Sequence, residues 1–265
     1  MRSVVVRLGY MRQLLRHAPI DEVVVGFLFD RAVGPDAVEA GLYLGQRADF
    51  FGSHEIHEPV VDQAVEISWP LLSPLRTWLI GKDPRWLVQL QHDRFHANWR
   101  KRPEASYDDL TNGDYPGFTR ESGIMTFALS EFERLRSFCR EAKGAAPNLA
   151  KVEVSKIDLL YHGIHWKTIE DAVELLPALG FVRSSMRTPG HNVALQTQET
   201  VDEITISTSL SAARLKDRPE TPLFRLEFRA VALASGDLTN QLKSINEVLN
   251  RAFERFVPDA TRRFS

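Results

Sequence analysis

The chain has a single cysteine, Cys139, in 265 residues, so no intrachain disulfide can brace it. That pattern fits a reducing compartment. Long apolar runs are also missing. Val4-Val5-Val6 is cut by Arg7, short of the roughly seven apolar residues of a secretory signal. Trp69 to Ile80 is broken by Pro70, Pro74 and Arg76, short of the roughly 20 residues of a spanning helix. The expectation is a soluble, cytoplasmic protein with no membrane partner. An excess of charge is absent too. Formal net charge is -2, with 18 Lys and Arg against 20 Asp and Glu up to Ala150, and 15 against 15 after it. Neither half carries a bulk footprint for nucleic acid or anionic lipid. No G-x-x-x-x-G-K-[ST], G-x-G-x-x-G or G-x-S-x-G pattern occurs. This leaves no signature for a phosphate loop, a dinucleotide site or a nucleophile elbow, and no cofactor is expected.

What is present is ordinary globular material, 43% hydrophobic and 26% charged. A basic extension, residues 1–18, carries Arg2, Arg7, Arg12 and Arg16. Glu22 to Phe29 is β-branched and aromatic and predicts a strand. Asp36 to Arg47 has helical character, with Val38, Leu42 and Leu44 toward a core. Phe50 to Val65, with Gly52, Pro59 and many charges, reads as irregular, ending near a short strand at Ala64 to Ser68. Glu121 to Lys143 predicts a long helix with Ile124, Phe127, Ala128, Phe132, Leu135, Phe138 and Cys139 on its apolar stripe, and Glu131 on the opposite side. Gly144 stops it.

The second part has a similar plan. A strand runs over Val152 to Ile164, and a short helix follows from Thr168. A hairpin is expected from His191 to Gln198 and Glu203 to Leu210, and a cleanly alternating strand from Leu223 to Ala232. Asp237 then caps a final amphipathic helix. The fold class is therefore α+β: two similar strand-rich units, 19–148 and 149–265, with mainly antiparallel sheet. Each is followed by a long amphipathic helix packed on the sheet.

One stretch departs from simple alternation. Trp86 to Trp99 reads as a single long strand. Leu87, Gln89, Gln91, Asp93, Phe95, Ala97 and Trp99 then fall on one side, and Val88, Leu90, His92, Arg94, His96 and Asn98 on the other. Polar groups on both faces of a central strand each need a partner, because a buried unpaired polar group costs about 1–3 kcal/mol. Either this is an edge or half-wet strand, or it lines a pocket or partner groove.

Candidate chemistry is thin. His54-Glu55-Ile56-His57-Glu58 has its histidines three apart, where the zincin pattern requires four on a helix, and no third ligand is evident; no metal is expected. His92 and His96 are about 13 Å apart along a strand and cannot share one ion. Asp93 points away from both on that strand. Cys139 sits on an apolar helix stripe and reads as core. In Asn98-Trp99-Arg100-Lys101-Arg102, Trp99 can stack and Arg100 can fork onto a carboxylate or phosphate.

Pro19, Glu22, Gly26-Phe27-Leu28-Phe29, Leu87 to Phe95, Asn98-Trp99-Arg100, Tyr115-Pro116 and the late Ile245, Leu249, Ala252-Phe253, Phe256 helix also carry a resemblance. They are similar to a sporadically distributed bacterial family with no established activity. The patchy distribution implies an accessory role, such as phage defence or a toxin–antitoxin system. The functional expectation is a non-enzymatic binding protein that recognises a protein or small ligand through the polar-lined sheet. Gln89, Gln91, Asp93, Arg94, Asn98 and Arg100 are the contacts, with Tyr115 of the Tyr-Pro element. The alternative is a hydrolase-like enzyme using His92, His96 or Asp93. Nucleic-acid binding through Arg94, Arg100, Lys101 and Arg102 is disfavoured by the balanced charge. A homo-oligomer is compatible with the sequence.

Overall fold

Val23, Val25, Phe27 and Phe29 are buried and alternate with Glu22, Val24, Gly26 and Leu28, and this two-residue period makes the first strand, β1 (Ile20–Phe29). In the computed structural model, which describes residues 19–31, 34–59, 76–101, 115–182, 194–214 and 222–258, β1 is the middle strand of a nine-stranded sheet. The other elements follow as α1 (Ala37–Gln46), β2 (Phe51–His57), β3 (Arg76–Gly81), β4 (Trp86–Gln91), β5 (Arg94–Arg100) and α2 (Ile124–Lys143). Then come β6 (Leu149–Tyr161), α3 (Ile169–Leu175), β7 (Ala194–Val201), β8 (Ile204–Arg214), β9 (Pro222–Leu233) and α4 (Leu238–Phe256). The strand order is β2-β3-β4-β5-β1-β6-β9-β8-β7, and every neighbouring pair is antiparallel. The fold is α+β.

The buried apolar side chains of the strands and of the helices belong to one cluster. Phe132 of α2 stacks on Phe27 of β1, with ring centroids 4.1 Å apart and planes at 4°, and also touches Phe29 and Phe95. Phe253 and Phe256 of α4 meet Phe228 of β9 edge-on. Such aromatic pairs add about 0.5–1.5 kcal/mol to their area burial. The long helices end as their sequences dictate. Gly144 closes α2 in the left-handed region, at φ 74°, where a β-carbon would be strained. The Asp237 side chain accepts from Asn240 N–H at the start of α4, and Thr168 forms a capping box with Asp171 at α3.

The structure corrects four expectations. The stretch from Trp86 to Trp99 is not one strand. It turns back at His92–Asp93 into the β4–β5 hairpin, with Gln91 opposite Arg94 and Trp86 opposite Trp99. Phe50 to Val65 is not wholly irregular, since β2 pairs with β3 from Phe51 opposite Gly81 to His57 opposite Arg76. Its exposed, charged residues mask the alternation because it is an edge strand. The strand expected at 64–68 lies outside the described residues.

In α1, Val38 and Leu42 are 74% and 59% exposed, while Ala40 and Tyr43 face the core. The reason lies in α2, where Glu131 is buried rather than solvated. Its carboxylate accepts from Tyr43 Oη at 3.1 Å and from the Arg47 guanidinium at 2.9 Å. A buried carboxylate needs such partners, and they fix which side of α1 turns inward.

Phe132→Ala is expected to lower the unfolding free energy by about 3–5 kcal/mol, because it leaves a cavity among three phenylalanines. Val38→Ala is expected to change it by less than about 0.5 kcal/mol. Urea denaturation of both variants checks the inward side of each helix.

Candidate functional site

The hairpin turn resets the alternation. Residues directly opposite one another share a face, so Gln89 joins His96, Gln91 joins Arg94, and Leu87 joins Asn98. Val88, Leu90, Phe95, Ala97 and Trp99 fall together on the face that carries Phe27 and Phe132. The polar residues are thus not divided between two faces. They all lie on the face opposite Phe132.

These polar groups satisfy one another in a chain that crosses four strands. Arg76 of β3 donates to Gln89 Oε1 at 3.0 Å, and Gln89 Nε2 donates to Asn98 Oδ1 at 3.0 Å. Asn98 Nδ2 donates to Glu22 Oε1 on β1. Asn98 has no exposed surface, and Gln89, Gln91 and Arg94 are buried as well. Burial pushes the Glu22 carboxyl up, against the opposing pull of Asn98, Arg100 and Arg225.

A second group crosses the centre of the sheet. His96 on β5 and Glu153 on β6 flank Gly26 of β1, and His96 Nε2 lies 2.8 Å from Glu153 Oε1. Arg229 Nε of β9 donates to the other carboxylate oxygen at 3.0 Å. A β-carbon at residue 26 would stand 2.4 Å from Glu153 Cγ and 2.6 Å from His96 Cδ2, so only glycine leaves the passage open. Burial raises the Glu153 carboxyl, but the His96 ring and the Arg229 guanidinium outweigh it and hold the group at about 2.

The expected contacts divide accordingly. Asp93 sits in the turn and accepts from Gln91 Nε2 at 2.9 Å and from Arg94 at 2.7 Å. Burial raises its carboxyl, and the stronger pull of Arg94 lowers it on balance. His92 Nδ1 is 4.0 Å from Asp93 Oδ1, beyond hydrogen-bond reach. Arg100 is half-buried, donates from Nε to Pro84 O at 3.2 Å and lies over the Trp78 ring at 5.7 Å. Tyr115 does not join this group; its ring packs on Trp99, on the other side of the sheet, 5.2 Å between centroids. Its phenol is raised by burial and by Asp158. Arg102 lies outside the described residues.

Trp78 of β3 faces Gln89 and was not foreseen. The His57 ring lies 4.0 Å from it, and the Arg76 guanidinium 5.3 Å from its centroid. Among the described residues, Arg76 Nε and Trp78 Nε1 are shielded from solvent and have no acceptor. No signal in the sequence marks Arg76 or Trp78. Gly26, inside a β-branched run, is the one local sign that two side chains approach across β1.

A further buried cluster stands on the Tyr115 side. Ile20 pairs with Asp158 and Glu22 with Ile157, so Asp21 is the extra residue of a β-bulge. Burial pushes Asp21 up to about 6 and Asp158 up to about 7; Lys101 opposes the shift at both, and Lys156 opposes it at Asp158. Burial lowers Lys101 in turn. Among the described residues no three His, Cys, Asp or Glu side chains could hold a metal ion, and no helix is long and apolar enough to cross a membrane. Comparison with protein-family models, with curated proteins and with solved structures returns no match.

Two pH responses of opposite sign follow. Glu153 is held near 2 in the folded chain against an ordinary 4.5, so its stabilisation is present above about pH 4.5 and is lost as pH falls toward 2. Asp158 is raised from 3.8 to about 7, so its contribution is present below about pH 4 and is lost as pH rises through 7. Glu153→Gln is expected to cost about 3–5 kcal/mol at pH 7, because His96 and Arg229 lose their buried partner. It is also expected to flatten the acid limb of the stability curve. Asp158→Asn is expected to raise the melting temperature at pH 8 and to leave it nearly unchanged at pH 4. Thermal unfolding across pH measures both.

Proposed function

We propose that the protein is a non-enzymatic binding protein that takes hold of a carboxylate-bearing partner at Trp78, on the polar face of its sheet. One observation carries the reading: two N–H donors, Arg76 Nε and Trp78 Nε1, are withdrawn from water and lack an acceptor among the described residues. A donor left so costs about 1–3 kcal/mol, which an incoming acceptor recovers. Two cations stand at the site: Arg76 and Arg100 both lie over the indole. The His57 ring lies tilted against it, and Glu55, opposite Trp78 on β2, is engaged by His57 at 2.9 Å. Gln89 holds Arg76 from below and is itself held by Asn98, so these buried amides position the guanidinium rather than touch the partner.

We further infer that the chain is a doubled unit. One copy runs β1-α1-β2-β3-β4-β5-α2 and the other β6-α3-β7-β8-β9-α4. The first strands of the two, β1 and β6, pair at the centre, and each unit's last strand, β5 or β9, lies beside its own first. Contacts of α2 with β5 and β1, and of α4 with β9 and β6, support helices packed on the sheet in both. The accessory role implied by the family resemblance belongs to the same proposal and rests on that resemblance.

Affinity purification from the host lysate tests the binding reading. The native chain is expected to retain a stoichiometric protein partner. Arg100→Gln and Trp78→Phe, which remove the cation and the indole N–H but keep the packing, are expected to weaken retention at least tenfold while their melting temperatures stay near native. A native chain recovered alone, or a partner held equally by the variants, overturns it.

A further inference from the structure

The sheet has two outer strands, and they differ. In β2 the pairing slips between Phe51 and Ser53, and the strand carries His54, Glu55 and His57. Bulges and charges are how natural proteins stop an edge from pairing with another chain. At the other edge, β7 has neither a bulge nor an unpaired charge. Its register with β8 runs unbroken from Ala194 opposite Ser211 to Val201 opposite Ile204. It contains no proline, lysine or arginine, and its only charge, Glu199, is paired with Arg255 of α4. Gln196 to Thr200 are all exposed.

The hairpin geometry says which backbone groups are free. Asp202 and Glu203 form a two-residue turn with φ of 49° and 65°, as in a type I′ hairpin. In such a turn the flanking pair, Val201 and Ile204, is hydrogen-bonded. Alternation then points the N–H and C=O groups of Ala194, Gln196, Gln198 and Thr200 away from β8. Among the described residues nothing pairs with that side.

We propose that β7 is a self-association edge, through which two copies of this chain join their sheets antiparallel about a two-fold axis at Thr197. The sequence of β7 is complementary to itself in that register. Gln196 stands opposite Gln198 of the second copy, and each amide both donates and accepts. Thr197 stands opposite its own equivalent. Glu199 stands opposite Leu195, so no like charges face each other. The axis is perpendicular to the sheet, which keeps the polar faces of both copies on the same side, and the contact closes as an isologous dimer. The proposal does not depend on the Trp78 site, which lies on a strand next to the opposite edge.

Engineered cysteines and sedimentation test it in the full chain. The Thr197 pair is of the non-hydrogen-bonded kind, with Cα atoms about 4.5 Å apart, within disulfide range. The native thiol does not compete, because Cys139 is buried and burial raises it to about 11. Thr197→Cys is expected to form a covalent dimer on mild oxidation at least tenfold faster than Thr200→Cys, which has no equivalent cysteine within reach. The native chain is expected to sediment as a dimer at micromolar concentration. Gln198→Pro removes an outward N–H that the monomer does not use, and is expected to weaken the dimer at least tenfold with little change in melting temperature. A monomeric native chain overturns the proposal. So does equal cross-linking of the two cysteine variants, which also decides the matter if Gln198→Pro fails to fold.

Discussion

The constraint on which the rest depends is the parity of side chains along a strand, and the point where it is reset. At His92–Asp93 the chain reverses, and the residue after the turn resumes on the face its pairing partner occupies. Gln89, Gln91, Arg94, His96 and Asn98 thereby share one face, and Leu90, Phe95, Ala97 and Trp99 the other. Without that reset, Phe95 and Trp99 would point away from Phe132, and half of the polar groups would enter an aromatic core. Asp93 holds the turn by accepting from both Gln91 and Arg94. A local hydrogen-bond set at the tip of one hairpin therefore fixes which side of β4 and β5 carries the polar residues.

The two ends of that polar face differ in character. Toward β4 and β5 the groups are buried and bonded to one another, so the face there is a rigid layer with Trp78 and its arginines at the margin. Toward β9 and β8 it opens. Arg225, Glu227, Arg229, Ser207 and Ser209 are half-exposed, and β7 beyond them is exposed along most of its length. A binding site at one end and an association edge at the other thus occupy separate ends of one continuous sheet.

Much of this was legible in the sequence because it is local. β-Branched and aromatic composition gave β1, alternation gave β8 and β9, the 3–4 spacing gave α2 and α4, and Gly144, Thr168 and Asp237 marked the helix ends. What was not legible depends on the register of distant strands. Glu153 and Arg229 are 76 residues apart and adjoin only because β6 and β9 pair. Glu131 looked solvated because helix periodicity cannot foresee that α1 brings Tyr43 and Arg47 to it. The β4–β5 turn did leave a trace: the apolar positions run 88, 90 and then 95, 97, 99, and a change from even to odd within a strand pattern is what a two-residue turn produces. His92–Asp93 contains neither glycine nor asparagine, so Trp86 to Trp99 carries no local turn signature.

Gly26 has a consequence for how the central strands find each other. If β6 slipped by one residue against β1, every side chain would change face, and the Glu153 carboxylate would enter the aromatic layer without a partner. Alternation alone rejects that error. A slip by two keeps the faces correct, and alternation cannot detect it. It would set Glu153 opposite Val24 or Leu28, where a side chain already fills the space between β5 and β6. Among the alignments that keep charge on the polar face, the one with Glu153 beside the gap at residue 26 gives the carboxylate a way across to His96. The absence of one side chain thus selects among pairings that hydrophobicity treats as equal, and it does so between strands more than a hundred residues apart in the chain.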